Sequence, residues 1–138
     1  MKSEKQEVNG VVHRAQSETE TLVGTSRLTK ILVDQKMGVE GASVSLVTMP
    51  PGGETEKHKK TVTEVYYVVE GCMTIETENG SVTFNKGEAG ASLPGTLHSH
   101  HNTGDSWNQF LVIITPSGRE QDFRKRTVLE SIVVADPY

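Results

Sequence analysis

The chain of 138 residues has the length of one domain, enough to bury roughly two-thirds of its unfolded surface. A net charge of -4, from 14 Lys and Arg against 18 Asp and Glu, provides no basic field for gripping a phosphate backbone and argues against nucleic-acid binding. The 17 Val, 15 Thr and 5 Ile outweigh 8 Leu and 5 Ala, so with 13 Gly and 5 Pro as punctuation the composition predicts an all-β chain of short strands.

Residues 1–20 mix four Glu with three basic residues, lack sustained periodicity and lack the apolar centre of a secretion signal. They read as a flexible arm or a strand lent to a partner subunit, and His13 within them carries no argument. From Leu28 onward β-like runs alternate with turn signals: Leu28 to Val33, Ala42 to Met49, Glu64 to Val69, Met73 to Thr77, Ser81 to Phe84, Leu97 to His101, Gln109 to Thr115 and Val128 to Val134. Short strands at such spacing predict a sandwich or barrel. Asn79-Gly80 is placed in a tight hairpin, because both residues tolerate the positive φ that such a turn demands. Arg119 to Arg126, with four basic and two acidic residues around Phe123, fits a helical turn or a strand lead-in, and the solvated reading is preferred because charge runs usually face water. The longest apolar run, Phe110 to Ile114, is far short of the roughly 20 residues that cross a bilayer. The lone Cys72 has no internal disulfide partner, which fits a reducing cytoplasm.

His58, Glu64 and His98 are residue types able to hold a divalent metal, at spacings that strands can use. Side chains two apart share a strand face, so His58 and Lys60 point the same way, and Glu64 has the same parity. Ionisable groups turned into a small barrel are costly unless paired or coordinating, so a shared inward face implies a site, whereas an outward face is merely hydrated.

Gly52, His58, Lys60, Glu64 and Gly71 stand at the spacing G(x)5HxH(x)3-4E(x)6G, with Lys60 where the second histidine belongs, and Gly87, Pro94, Gly95, His98 and Asn102 follow a second motif one residue short between Pro94 and Gly95. In these motifs the chain resembles a small single-domain cupin. The resemblance implies a double-stranded β-helix, a jelly-roll barrel of two facing sheets whose mouth holds a metal. Residues 1–24 then form the N-terminal arm or a swapped strand, and 25–138 one barrel domain with a C-terminal extension. His58, Glu64 and His98 match three of the family's usual four ligands, and Lys60 occupies the fourth place.

Three readings of Lys60 follow from that resemblance. With a metal (Fe, Mn, Zn or Ni) on His58, Glu64 and His98, Lys60, its pKa depressed by the metal and by burial, serves as general base or acid. Without one, the Lys60 ammonium takes the cation's place and pairs with Glu64. In a variant of the first, His100, two residues from His98 on the same face, supplies the missing imidazole, or it orients a ligand, contacts substrate or simply bonds to backbone. Tyr66 shares the parity of Glu64, so it either lines the pocket with a phenol that donates a proton or orients substrate, or packs. Tyr67 and His101 are expected to face away. Met49, Phe110 and Val112 are expected as apolar walls, Trp107 as a cap on the mouth or on an interface, and Cys72 as a small packed residue. The functions implied are a metal-dependent enzyme acting on an oxygen-bearing small molecule (oxygenase, decarboxylase, isomerase or lyase), or a metal-free module binding an anionic metabolite. A barrel serving only as a dimerisation scaffold is disfavoured by the buried polar set. A homodimer is the family expectation, while the lone cysteine, the short apolar run and the charge balance point to a cytoplasmic protein with no membrane or nucleic-acid partner.

Overall fold

The computed structural model describes residues 6–125, and their architecture is two facing antiparallel sheets. In chain order the strands are β1 (Gln6–Val8), β2 (Val11–His13), β3 (Leu22–Val23), β4 (Leu28–Val33), β5 (Ser43–Met49), β6 (Thr63–Glu70), β7 (Cys72–Thr77), β8 (Gly80–Asn85), β9 (Ala89–Ser92), β10 (His98–His101) and β11 (Asn108–Thr115), followed by a short helix α1 (Asp122–Lys125). The larger sheet has the order β3-β4-β5-β11-β6-β9 and the smaller β10-β7-β8, while β1 and β2 form a hairpin of their own. This is the jelly-roll arrangement, with the two sheets stacked and not closed into a continuous hydrogen-bonded barrel among the described residues. Among those residues no helix is long and apolar enough to cross a membrane.

Alternation of side chains builds the core. In β11, Asn108, Phe110, Val112 and Ile114 point inward, and in β6 Glu64, Tyr66 and Val68 do the same. Their register brings Val112 opposite Tyr66 and Ile114 opposite Glu64, and on the other flank Phe110 opposite Val47. Met73, Ile75 and Phe84 from the smaller sheet meet this face and complete one apolar cluster. The polar end of the cluster, at Glu64, therefore lies on the same inward face as the core.

Several expectations are revised. Residues 6–13, within the segment read as a flexible arm or a strand lent to a partner subunit, form the β1-β2 hairpin around Asn9-Gly10, both at positive φ (51° and 83°). That pair carries the same turn signal as Asn79-Gly80. The Asn79-Gly80 hairpin exists but is shifted by one residue: Thr77 pairs with Gly80, and the loop is Glu78-Asn79. Thr77 Oγ1 accepts the Asn79 N–H and donates to Gly80 O, leaving the positive φ of 136° to the glycine. Strands β3 and β9 were not expected; β9, with two Ala and one Gly, has weak β propensity and is held by pairing along the edge of β6. The charged run after β11 is a 3-10 turn (Arg119–Gln121) leading into α1, and is not simply solvated: Glu120 is 0% exposed and accepts the N–H groups of Gln35 and Gly118. The strand expected over Val128 to Val134 lies outside the described residues.

Candidate metal centre

Backbone pairing delivers the site. The segment after Gly52 runs antiparallel beside β10, with His58 and His98 exchanging both N–H···O bonds (2.8 and 2.9 Å) and the Thr55 N–H donating to His100 O. The Gly95 N–H donates to Lys60 O, which fixes the lysine in the same ribbon. Asn102, the last residue of the second motif, ties the base of this ribbon: its Nδ2 donates to Met49 O and Ser106 O, and its Oδ1 accepts the Gly104 N–H. At Gly71, φ is 70° and a β-carbon would come within 3.0 Å of Trp107 O, so only glycine suits the turn into β7.

His58, Glu64, His98 and His100 converge, with one ligand atom from each lying within 4.8 Å of all the others. Glu64 Oε1 is 3.0 Å from His98 Nε2 and 3.9 Å from the Nε2 atoms of His58 and His100. The Tyr66 hydroxyl donates to the same oxygen at 2.6 Å and lies 3.0 Å from Ser92 Oγ. The other oxygen, Oε2, faces Lys60 Nζ at 3.6 Å. The carboxylate is thus divided, one oxygen toward the imidazoles and one toward the ammonium.

The tautomers are set from behind. His98 Nδ1 lies 2.8 Å from Thr96 O and His58 Nδ1 3.0 Å from Glu56 O, so each Nδ1 carries a hydrogen and each Nε2 is turned toward Glu64. Lone pairs facing a carboxylate at this range repel unless a proton or a cation lies between them. Ligands about 2.0–2.2 Å from a common ion are about 3.0 Å apart at right angles and about 4.2 Å apart when opposed, so separations of 3.0 and 3.9 Å suit a shared divalent ion. The donor set of imidazole nitrogens and one carboxylate fits Fe, Mn, Zn or Ni.

Burial works against the charge on Glu64, but bonds from the histidine side and from Tyr66 outweigh it and hold the carboxyl far below the usual range. For Tyr66, burial and then the Glu64 charge push the phenol well above its ordinary value, so it keeps its proton. Burial lowers His98, yet its contacts with Glu64 and Thr96 O prevail and raise it. Burial pushes His100 down to about 3, which keeps that ring neutral. The His100 ring stacks between Phe110 and His58, with its Nδ1 buried and without a hydrogen-bond partner.

Each residue singled out by parity lies where expected: Lys60 (7% exposed), Glu64 (2%) and Tyr66 (0%) are inward, while Tyr67 is exposed and His101 turns to Glu54 Oε2 at 3.3 Å. Met49 lies in the core, and Phe110 and Val112 wall a cavity beside the imidazoles. Trp107 borders a separate shallow groove with Pro50 and Arg27 rather than this cavity. Half-buried Cys72 sits beside Thr103. Sequence reasoning missed Arg27, Thr55 and Phe123 on the cavity wall and Ser92 beside Tyr66.

Residues 45–124 match the family model of the cupin domain, Cupin_2. The chain belongs to the cupin family. No curated protein matches it. Among solved cupin structures it is similar to a predicted oxalate decarboxylase from Thermotoga maritima (22% identity over 74% of this chain and 96% of that one, TM-score 0.65). It is also similar to a sugar phosphate isomerase from Silicibacter pomeroyi (22%, 75% and 74%, TM-score 0.62). The polyketide cyclase RemF from Streptomyces resistomycificus aligns at 19% identity over 86% of this chain and 85% of its own, with a TM-score of 0.66. At such identities the likeness establishes the cupin fold alone.

Proposed function

We propose that this cupin is a metal-dependent enzyme acting on an oxygen-bearing small molecule, with His58, Glu64, His98 and His100 as the residues that hold an Fe, Mn, Zn or Ni ion. The observation that carries this reading is the convergence of three imidazole Nε2 atoms on Glu64 Oε1, with two of the rings pinned through Nδ1 to backbone carbonyls. A bound divalent ion supplies Lewis-acid polarisation of a ligand oxygen. Lys60, whose Nζ faces Glu64 Oε2 at 3.6 Å beside the cavity, is the acid or base of this scheme, while Tyr66, fully buried, positions Glu64 through its 2.6 Å bond. Val47, Phe110 and Val112 exclude water from the ligand's body. The names of the neighbours, a decarboxylase, an isomerase and a cyclase, are consistent with an oxygen-bearing substrate.

A second reading is favoured by one contact, the Lys60 Nζ to Glu64 Oε2 approach of 3.6 Å: a metal-free module in which the ammonium stands in the cation's place and binds an anionic metabolite. Elemental analysis of protein purified without chelator separates the two. Near-stoichiometric transition metal that disappears in His98→Ala supports the enzyme, and folded protein that takes up neither added Fe(II) nor Zn(II) supports the module. The reading also includes a cytoplasmic homodimer, consistent with exposed Val8 and Val11 on the β1-β2 hairpin, and a monomer by light scattering at micromolar concentration would overturn that part.

A further inference from the structure

Arg27, just ahead of β4, borders two adjoining spaces besides the Trp107 groove. One is the cavity beside the imidazoles, about 30 Å³, where Arg27 and Lys60 are the cations and Val47, Phe110, Val112 and Phe123 the apolar walls. The other is an outer groove of about 470 Å³, shared at Arg27 and Thr55 and rimmed by Glu54 and Glu56. Arg27 lines both spaces, its Cζ 5.6 Å from the centre of the Phe123 ring. Phe123 packs against the apolar core from α1, which is held in turn by Arg124 on Asp34 and by the buried Glu120.

The chain makes room for this arginine. The Gly24 N–H donates to Arg27 O at 2.8 Å, and a β-carbon at Gly24 would come within 2.7 Å of Arg27 Nη1. The path of the guanidinium thus depends on a residue without a side chain.

We propose that the cavity takes a small monocarboxylate with an apolar body, and that Arg27 recognises the carboxylate by leaving the Phe123 ring for it; this rests on the reading of the imidazole cavity as the ligand site. A space of about 30 Å³ holds one or two waters, so a molecule of several carbons enters from the groove only when Arg27 and Phe123 part. The planar guanidinium matches a carboxylate in two parallel hydrogen bonds. The apolar walls accept the ligand's body, and Glu54 and Glu56 on the rim repel a second negative charge, which excludes dicarboxylates and phosphate esters.

Isothermal titration calorimetry with butanoate, neutral butanamide and the dianion succinate tests this, on Zn(II)-loaded and on chelator-treated protein. Butanoate is expected to bind at least tenfold more tightly than either analogue. Arg27→Gln is expected to weaken butanoate at least tenfold while Zn(II) content by elemental analysis stays the same. Gly24→Ala, which keeps the charge but displaces the guanidinium, is expected to weaken it too and covers an unfolded Arg27→Gln. Equal binding of butanoate and butanamide, or wild-type affinity in both variants, would overturn the proposal. Zn(II) uptake with no butanoate binding defeats this inference and leaves the metal reading standing. Arg27-dependent butanoate binding without Zn(II) uptake supports this inference and defeats the metal reading.

Discussion

Lys60→Met removes the ammonium from the site while keeping an unbranched apolar stem, and it pulls the two forms of the protein in opposite directions. In metal-free protein the lysine faces Glu64 Oε2 at 3.6 Å with both side chains buried. Coulomb's law at an effective dielectric of 20 gives about 4.6 kcal/mol of attraction at 3.6 Å. Removing the lysine also removes its desolvation penalty, and Glu64 retains Tyr66 and His98 as partners, so the net loss is about 2 kcal/mol. For a domain of this size that lowers Tm by roughly 6–10 °C. In metal-loaded protein the same change abolishes a repulsion between ammonium and cation, and the affinity for Zn(II) or Mn(II) rises at least tenfold. Thermal unfolding in the presence and absence of chelator, with metal titration by calorimetry, reads both effects. A variant with unchanged metal-free Tm and unchanged metal affinity would refute the placement of Lys60 against Glu64.

Two further outcomes rest on contacts around the site and behind it. Tyr66→Phe deletes the 2.6 Å donor to Glu64 Oε1 and leaves the carboxylate less satisfied, so urea denaturation is expected to show a loss of about 1.5–3 kcal/mol, and a loss below about 0.5 kcal/mol would contradict the bond. Backbone N–H groups outweigh burial at Glu120 and lower its pKa, so its contribution to stability is complete above the unfolded carboxyl value near about 4.3 and fades as pH falls through the folded value. Wild-type protein is therefore expected to be more stable than Glu120→Gln at neutral pH and to converge with it in acid, and a gap that widens below pH of about 4 would contradict the sign.

The site was legible because its residues follow strand parity within short, unbroken segments. Glu64 and Tyr66 lie ahead of the one irregularity in the β6-β11 ladder, at Gln109/Phe110, so counting by twos places both correctly. His58 and Lys60 fall outside any regular strand, yet the His58 bridge to His98 of β10 and the Gly95 N–H bond to Lys60 O give them strand-like alternation, and the motif spacing marks them. Arg27 and Phe123 were not legible, because they are 96 residues apart and meet only when α1 folds back over the sheet. In the sequence Phe123 sits in a run of charge that looks solvated, and nothing local announces that Glu120 is taken up by Gln35 and Gly118 N–H groups. The β1-β2 hairpin had its signal in Asn9-Gly10 but not in its strands, which are three residues each and too short to show a period.

The most direct test of the central claim is X-ray absorption at the metal edge on protein loaded with one equivalent of Zn(II) or Mn(II). Convergence of His58, Glu64, His98 and His100 on one ion predicts a shell at about 2.0–2.2 Å with the multiple-scattering signature of three imidazoles and at least one carboxylate oxygen, reduced by one imidazole in His100→Ala. A shell of oxygen alone, or a spectrum identical in wild type and His100→Ala, would contradict it.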